Sequence, residues 1–311
     1  MAGWIGARRG ALAGLLVYAL AWAASAFALQ SAGSEDFGTA IVVAAVYGAG
    51  FSLVAWLCTL GERAPAIPVR RPALEAAAVL AFMAAYAVFF TGFGLNAFHA
   101  AFKPGRTEAA LLVALKLLVH VAAPVLLLLA LGAKPGALFT VNARSRGFWL
   151  CLVILGAASL GFMTVVSPSL KHIAALNLTP ASLGLATAGA FAWLAVEAGL
   201  CEEFLFRAVL QTRLAAAIRS EAGAVFLAAL VFALAHVPGL YMRAGADVSG
   251  HSQSLVQVIA YAIAVLSPIG LSLGFVWVRT RSLLLVVLLH ALVDLLPNIP
   301  DFAKTWMLPG T

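Results

Sequence analysis

The sequence predicts an all-α protein, a polytopic bundle of about eight to nine transmembrane helices. Of its 311 residues, 64% are hydrophobic and only 10% are charged, whereas soluble domains run at roughly 45–50% apolar and about 25% charged. Nearly uncharged apolar stretches recur along the whole chain, and about 18 such residues are enough to cross a hydrocarbon core of about 30 Å. Backbone inside lipid must satisfy its own hydrogen bonds, so each stretch is predicted to be a helix.

Nine candidate spans follow from this pattern. Their predicted bounds are 10–30, 38–60, 73–95, 107–132, 147–166, 181–200, 222–237, 255–278 and 282–297. The first span has a second interpretation, since Arg8-Arg9, an apolar run and Ala26-Phe27-Ala28 resemble a cleaved signal peptide. A retained anchor is favoured because a polytopic protein needs no cleavage to enter the membrane.

Lys and Arg sort into alternate loops between these spans. Thirteen fall on the side of the N-terminus and five on the other, with Lys116 inside a span. The loop-charge rule therefore predicts a cytoplasmic N-terminus and an odd number of spans. The same bias accounts for the net charge of +7, so nucleic acid is not expected as a partner.

Ionisable residues within apolar spans concentrate after about residue 197. This change divides the chain into N-terminal helices without a recognisable motif (1–146), a candidate catalytic core (147–298) and a C-terminal tail (299–311). An ionisable group at membrane depth costs roughly 2.5–3.5 kcal/mol on insertion scales, so each needs a partner, a water cavity or a function.

The first polar segment is Glu202-Glu203-Phe204-Leu205-Phe206-Arg207, predicted to close the sixth span. Glu203 and Arg207 are spaced i, i+4 and can pair on one helix face, while Glu202 points about 100° away. Arginine can thus hold one glutamate ionised and leave the other free for chemistry. A salt-bridged helix end at the interface explains this segment equally well when it is taken alone.

Two further segments carry histidines. His236 follows Phe232 by one turn near the end of the seventh span, where a lone histidine is usually a snorkelling or capping residue. His290 and Asp294, spaced i, i+4, lie in an otherwise apolar ninth span, and intramembrane ionisable pairs are functional by default. Together the three segments supply a base, an acid and oxyanion donors. The predicted cluster lies off-centre, because two of the segments fall near predicted span ends.

Other polar groups in the spans are expected to have packing or supporting roles. Lys116 and His120 share a face of the fourth span and are interpreted as a packing or water-lined pair. Glu197 is a minor option for a group supporting Glu202. Cys201 is interpreted as an apolar filler, as cysteine in lipid usually is.

The three segments resemble, in order, the motifs of the CPBP family of intramembrane proteases, which includes type II CAAX prenyl endopeptidases and bacteriocin-processing proteins. Glu202-Glu203-x-x-Phe206-Arg207 is similar to EExxFR, Phe232-x-x-x-His236 to FxxxH, and His290-x-x-x-Asp294 to HxxxN/D. The resemblance covers roughly 147–298. It departs from the family at Ala208, where glycine is common, and at Asp294, where the eukaryotic-type enzymes place asparagine.

The resemblance implies peptide-bond hydrolysis within the membrane. Glu202 and His236 would activate water, His290 and Asp294 would stabilise the oxyanion, and Glu203 with Arg207 would support Glu202. An ionised Asp294 would repel an oxyanion, so it must be protonated or act through His290. The expected partners are membrane lipid and a peptide or protein substrate, with a prenylated substrate among the options. The Ala/Gly-rich composition favours a bacterial inner membrane.

Three alternatives stay open at this point. A zinc-dependent protease would use Glu202, His236 and His290 as ligands, although the chain lacks HExxH; the metal-free mechanism without a cofactor is preferred. A proton-coupled transporter would use the same residues as a relay, but no inverted repeat is evident. A non-catalytic membrane scaffold could also retain the motifs.

Overall fold

Nine long helices form the molecule in a computed structural model, which describes residues 2–245 and 248–308. Each is long and apolar enough to cross a membrane, and no strand occurs in the described ranges. The helices are α1 (Ala7–Ser31), α2 (Asp36–Cys58), α3 (Pro72–Ala101), α4 (Arg106–Ala130), α5 (Arg146–Val166), α6 (Pro180–Ile218), α7 (Glu221–Met242), α8 (Leu255–Thr280) and α9 (Leu283–Trp306). The predicted all-α, polytopic fold is confirmed.

Polar residues mark where several helices begin. The hydroxyls of Ser145, Thr179, Ser220 and Ser282 each accept a hydrogen bond from a backbone N–H in the first turn of α5, α6, α7 and α9. Such caps satisfy amides that would otherwise lack a partner at a helix start. The joining segments are short and include a 3₁₀ turn at Pro135–Phe139 and a helix at Ser169–Ala175.

Alternate helix ends meet on two faces. On the face shared by the start of α1, the end of α8 and the start of α9, Arg279 donates to Thr59 and Arg281 pairs with Glu221. We call this the N-terminal face. On the opposite face, Arg243 donates to the backbone oxygen of Thr91 at 2.5 Å.

The first helix packs closely on the seventh through glycines. A Cβ added to Gly14 would lie 2.7 Å from the Cα of Gly223, and one added to Gly223 would meet the backbone of Gly10. Small residues allow this approach, which is the usual way that membrane helices associate. Helix α1 is therefore attached to the half of the chain that carries the polar motifs.

A buried ion pair joins α3 to α6. Arg213 Nε lies 3.4 Å from Glu75 Oε2, and both side chains are almost completely buried. The other oxygen, Glu75 Oε1, accepts hydrogen bonds from the backbone amides of Arg70 and Arg71. The N-terminal helices thus contribute a charge to the protein interior, although no motif marks it.

The predicted ends of four spans are wrong. Helix α3 continues to Ala101, α6 to Ile218, α7 to Met242 and α9 to Trp306, each beyond its predicted end. Hydropathy falls at the charged residues of α6, but Arg207 and Arg213 are buried in protein and are not loop residues. The segment assigned as the tail is helical as far as Trp306, and residues 309–311 lie outside the described ranges.

Candidate active site

Glu202 and Glu203 lie at a change of helical hydrogen bonding within α6. A short α-helical turn, Cys201–Glu203, separates two π-helical stretches, Ala195–Leu200 and Phe204–Gln211. Such widened turns occur frequently at functional sites. As the helical spacing predicts, the two carboxylates face different surroundings, because Glu203 is completely buried and Glu202 retains 16% side-chain exposure.

Glu203 forms the buried centre of the cluster. Its Oε2 lies 3.1 Å from Arg207 Nε, so the predicted i, i+4 pair is confirmed. Its Oε1 accepts a 2.7 Å hydrogen bond from His290 Nδ1, from a helix 87 positions later in the chain. The Arg207 guanidinium also lies 4.6 Å from the centroid of the Phe232 ring, a cation–π distance. Glu203 therefore connects α6 to α9, and Arg207 connects α6 to α7.

His236 stands at the junction between the main part of α7 and its last turns. Its Nδ1 donates to the carbonyl oxygen of Phe232 at 2.8 Å. Since a carbonyl only accepts, the proton of the neutral ring is on Nδ1, and Nε2 presents its lone pair. That Nε2 lies 3.7 Å from Glu202 Oε2. The backbone carbonyl of Phe232 thus orients the histidine ring, and the Phe232 ring packs against it at 4.8 Å between centroids.

His290 lies between three carboxylates. Besides the Nδ1 bond to Glu203, its Nε2 is 3.3 Å from Asp294 Oδ2 and 3.9 Å from Glu202 Oε2. Asp294 is the most open of the carboxylates, with 33% side-chain exposure. The structure therefore brings all six predicted residues together: Glu202, Glu203, Arg207, His236, His290 and Asp294.

A cavity of about 240 Å³ opens beside Glu202 and His236. Its lining also includes Tyr86 of α3, Lys116 and His120 of α4, and Arg243 after α7. Helices α3 and α4 therefore form one wall of the cavity, and α6 and α7 form the other.

The cluster lies inside the bundle. At about 1.5 Å per residue, Glu202 lies about 24 Å from the end of α6 on the N-terminal face, and His236 about 22 Å from the start of α7. His236 lies only about 9 Å from the end of α7 at Met242, so the expectation of an off-centre cluster stays a prediction.

The polar groups of α4 make contacts with other helices that the sequence did not predict. Lys116 Nζ lies 2.5 Å from Glu197 Oε1 of α6, and His120 Nε2 lies 3.0 Å from the Tyr86 hydroxyl. The i, i+4 spacing of Lys116 and His120 was the available signal. Their partners come from α6 and α3, and a single sequence does not tell which helices are neighbours. Cys201, beside Glu202, is completely buried.

The proposed zinc ligands do not form a site that fits a metal ion. Within the described ranges, no group of three or more His, Cys, Asp or Glu side chains is arranged to hold one. Both nitrogens of His290 face carboxylate oxygens of other residues, Glu203 and Asp294. A metalloprotease assignment therefore gains no support from the arrangement of these side chains.

Comparison with known proteins agrees with the motifs. Residues 184–296, the segment that carries all three, match the family described as Type II CAAX prenyl endopeptidase Rce1-like. No curated protein and no solved structure matches the chain significantly. The matched family is one of intramembrane proteases. The segment that carries Glu202, His236 and His290 is therefore similar to the type II CAAX prenyl endopeptidase Rce1-like family.

Proposed function

We propose that the protein is an intramembrane endopeptidase that hydrolyses peptide bonds of membrane-associated proteins or peptides. One observation carries the proposal. Glu202 Oε2, buried and without a hydrogen-bond partner in the described part of the chain, lies within 4 Å of Nε2 of both His236 and His290. A carboxylate and two imidazoles thus converge, Glu202 and His236 line a cavity that reaches Arg243, and the family match supports a protease.

Glu202 and His236 are proposed to activate the hydrolytic water. Both facing atoms are acceptors, and 3.7 Å is too long for a direct hydrogen bond but suits two groups bridged by water. Such a water donates one proton to each and directs a lone pair toward a carbonyl carbon in the cavity. As the new C–O bond forms, Glu202 takes a proton. It returns that proton to the amide nitrogen when the C–N bond breaks.

His290 and Asp294 are proposed to act on the other oxygen of the tetrahedral intermediate. With Nδ1 donating to Glu203, a His290 ring that is protonated on both nitrogens can donate a hydrogen bond from Nε2 to the oxyanion and keeps its proton as the intermediate collapses. Asp294 Oδ2 is close enough to that nitrogen to act through His290 rather than directly on substrate. Glu203 and Arg207 hold the imidazole and the Glu202 segment in place.

The substrate is proposed to be a peptide segment that reaches the cavity within the bilayer. A prenylated protein and an unmodified membrane peptide are both candidates, and cleavage of one peptide with and without a prenyl group separates them. We place the protein in a bacterial inner membrane with a cytoplasmic N-terminus, supported by composition and the loop charges.

The mechanism is proposed to work without a metal. Dialysis of the purified protein against a chelator should leave cleavage unchanged, and zinc added back should not increase it. Chelator inhibition that one equivalent of zinc restores would instead support the zinc-dependent protease with Glu202, His236 and His290 as ligands.

The test compares membranes from cells that express wild-type protein, Glu202→Gln or His236→Gln. Both changes should lower cleavage by about 10²–10⁴-fold, the usual contribution of a general base and its partner. Cleavage products are measured by mass spectrometry of the membrane peptide fraction, and the amount of each variant is measured by immunoblot.

Glu35→Gln is the matched control, because Glu35 is an exposed carboxylate away from the cluster. It should cleave as wild type does. Unchanged products in both cluster variants would contradict the protease proposal and favour the scaffold. If wild type takes up substrate into vesicles without cleaving it, and both cluster variants lose that uptake, the transporter is favoured.

A further inference from the structure

A second and larger cavity, of about 810 Å³, lies away from the candidate active site. It is enclosed by α1, α2, α7 and α8, with Leu15, Gly48, Val225 and Pro268 among its apolar lining. No described residue lines both this cavity and the one at Glu202. The proposed peptidase reaction makes no use of it.

The cavity has the depth of one membrane leaflet. Arg279 and Glu221 mark its end at the N-terminal face, whereas Pro268 lies near the middle of α8. Eleven residues of helix separate Pro268 from Arg279, which is about 16 Å. Half of a hydrocarbon core is about 15 Å, so the cavity runs from the interface to the midplane.

Arg279 places a donor at the depth of a lipid headgroup, and Ser52 lies about 10 Å further along α2 from Thr59, the partner of Arg279. Arg279 gives two hydrogen bonds to Thr59, at 2.9 and 2.8 Å, and no salt bridge to a carboxylate is found for it in the described ranges. Ser52 lines the cavity, and its hydroxyl oxygen is buried without a hydrogen-bond partner among the described residues. Glu221 is already paired with Arg281.

The charge of Arg279 and the buried hydroxyl of Ser52 both favour an acceptor-rich ligand. Arg279 Nε and Nη2 already donate to Thr59, and Nη1, for which no hydrogen bond is found in the described ranges, can donate to a phosphate. Trp56, also in the lining, is 44% exposed at the same end, where tryptophan commonly marks the membrane interface. The apolar part of this cavity, which we call the shaft, is as deep as one leaflet, and Arg279 lies at its interfacial end. This arrangement fits a phospholipid better than a peptide.

We propose that this cavity binds an anionic phospholipid of the leaflet at the N-terminal face. An acyl chain occupies the apolar shaft, the phosphate contacts Arg279, and an ester oxygen accepts from Ser52. This inference does not depend on the proposed function. The lipid is a bound structural ligand, distinct from the peptide substrate.

The test reconstitutes purified protein in vesicles of phosphatidylcholine containing a small fraction of phosphatidylglycerol. The protein is then re-extracted in detergent, and retained lipid is measured by mass spectrometry. Wild type should retain about one phosphatidylglycerol per chain. Arg279→Gln should reduce retention about tenfold or more, as expected for loss of a charge-assisted hydrogen bond. Arg279→Lys should keep part of it.

Gly48→Leu tests the shaft separately, because a Cβ at Gly48 has ordinary contact with Pro268 and the added side chain enters the cavity. It should lower retention while Arg279 stays in place. Arg63→Gln, which removes an exposed loop arginine on the same face, is the matched control and should behave as wild type. Gel filtration and helicity establish that each variant is folded.

Equal retention by wild type and Arg279→Gln, or by wild type and Gly48→Leu, would overturn the proposal. So would equal retention of phosphatidylcholine and phosphatidylglycerol, or selective retention of an added isoprenoid alcohol in place of phospholipid. The assay is repeated with Glu202→Gln, which should bind lipid normally. Failure of the peptidase proposal and failure of the lipid proposal are therefore distinguishable.

Discussion

The N-terminal and C-terminal helices differ in what surrounds them. In the apolar stretches of α2 and α4, 17% of residues are buried in protein, but 67% are buried in α8 and 61% in α9. Helices α8 and α9 are therefore mostly enclosed by other helices, whereas α2 and α4 present most of their surface outward. By this measure α2 and α4 resemble a coat around α8 and α9.

The buried polar residues give a different picture. Glu75 of α3 pairs with Arg213, Lys116 of α4 pairs with Glu197, and His120 lines the cavity at Glu202. Each joins an N-terminal helix to α6 or to the site. The comparison teaches that outward-facing surface and functional integration are separate properties, and three substitutions can measure how far the N-terminal helices are integrated.

The largest effect is expected for Arg213→Met. Removing the arginine leaves the Glu75 carboxylate buried beside it without its charge partner, and breaking such a pair typically costs about 3–5 kcal/mol. The free energy of unfolding in mixed detergent and SDS micelles measures the loss.

The double variant Glu75→Gln/Arg213→Met is the control for the ion pair. It should recover a large part of the lost stability, because no unpaired charge then remains. If Arg213→Met alone is as stable as wild type, α3 is only a peripheral helix and the coat description extends to it.

A smaller effect is expected for Gly223→Ala, at the contact of α7 with α1. The added methyl meets the α1 backbone at Gly10, and overpacking of this kind costs typically about 1–3 kcal/mol. The same unfolding measurement applies. Gly161→Ala in α5 has nothing within 4 Å of the new Cβ and should be neutral or slightly stabilising.

The smallest effect is expected for Lys116→Met, measured as the rate of peptide cleavage. The substitution removes a positive charge from the cavity that contains Glu202 and leaves Glu197 unpaired, so we expect a loss of about tenfold. Lys116→Arg should retain most activity, and Lys103→Met, in an exposed loop, should retain all of it. Full activity in Lys116→Met would confine the chemistry to the C-terminal helices.

Contacts within one helix were predictable from the sequence, and contacts between helices were not. The pairs Glu203–Arg207 and His290–Asp294 follow from i, i+4 spacing alone. The Glu203–His290 bond joins positions 87 apart, and hydropathy carries no information about which helix faces give such contacts. The motif resemblance placed the three segments together but gave no indication that α3 and α4 complete the cavity.

The end of α6 was mispredicted for a related physical reason. Hydropathy treats Glu202, Arg207 and Arg213 as though they faced lipid or water, and so predicts that the span stops near residue 200. Their charges are instead covered by other helices, so the helix continues as far as Ile218.

The length of α6 has a consequence for how the chain is inserted during synthesis. Its 39 residues extend about 58 Å, far more than a hydrocarbon core of about 30 Å, and even a tilt of about 40° does not hide the difference. Its charges must be neutralised as it emerges. Arg207 meets Glu203 within the same helix, and Arg213 meets Glu75 of an earlier one. Only the contacts of Glu202 and Glu203 with His290 must wait for the last helix, so the candidate site assembles when synthesis of the bundle is complete.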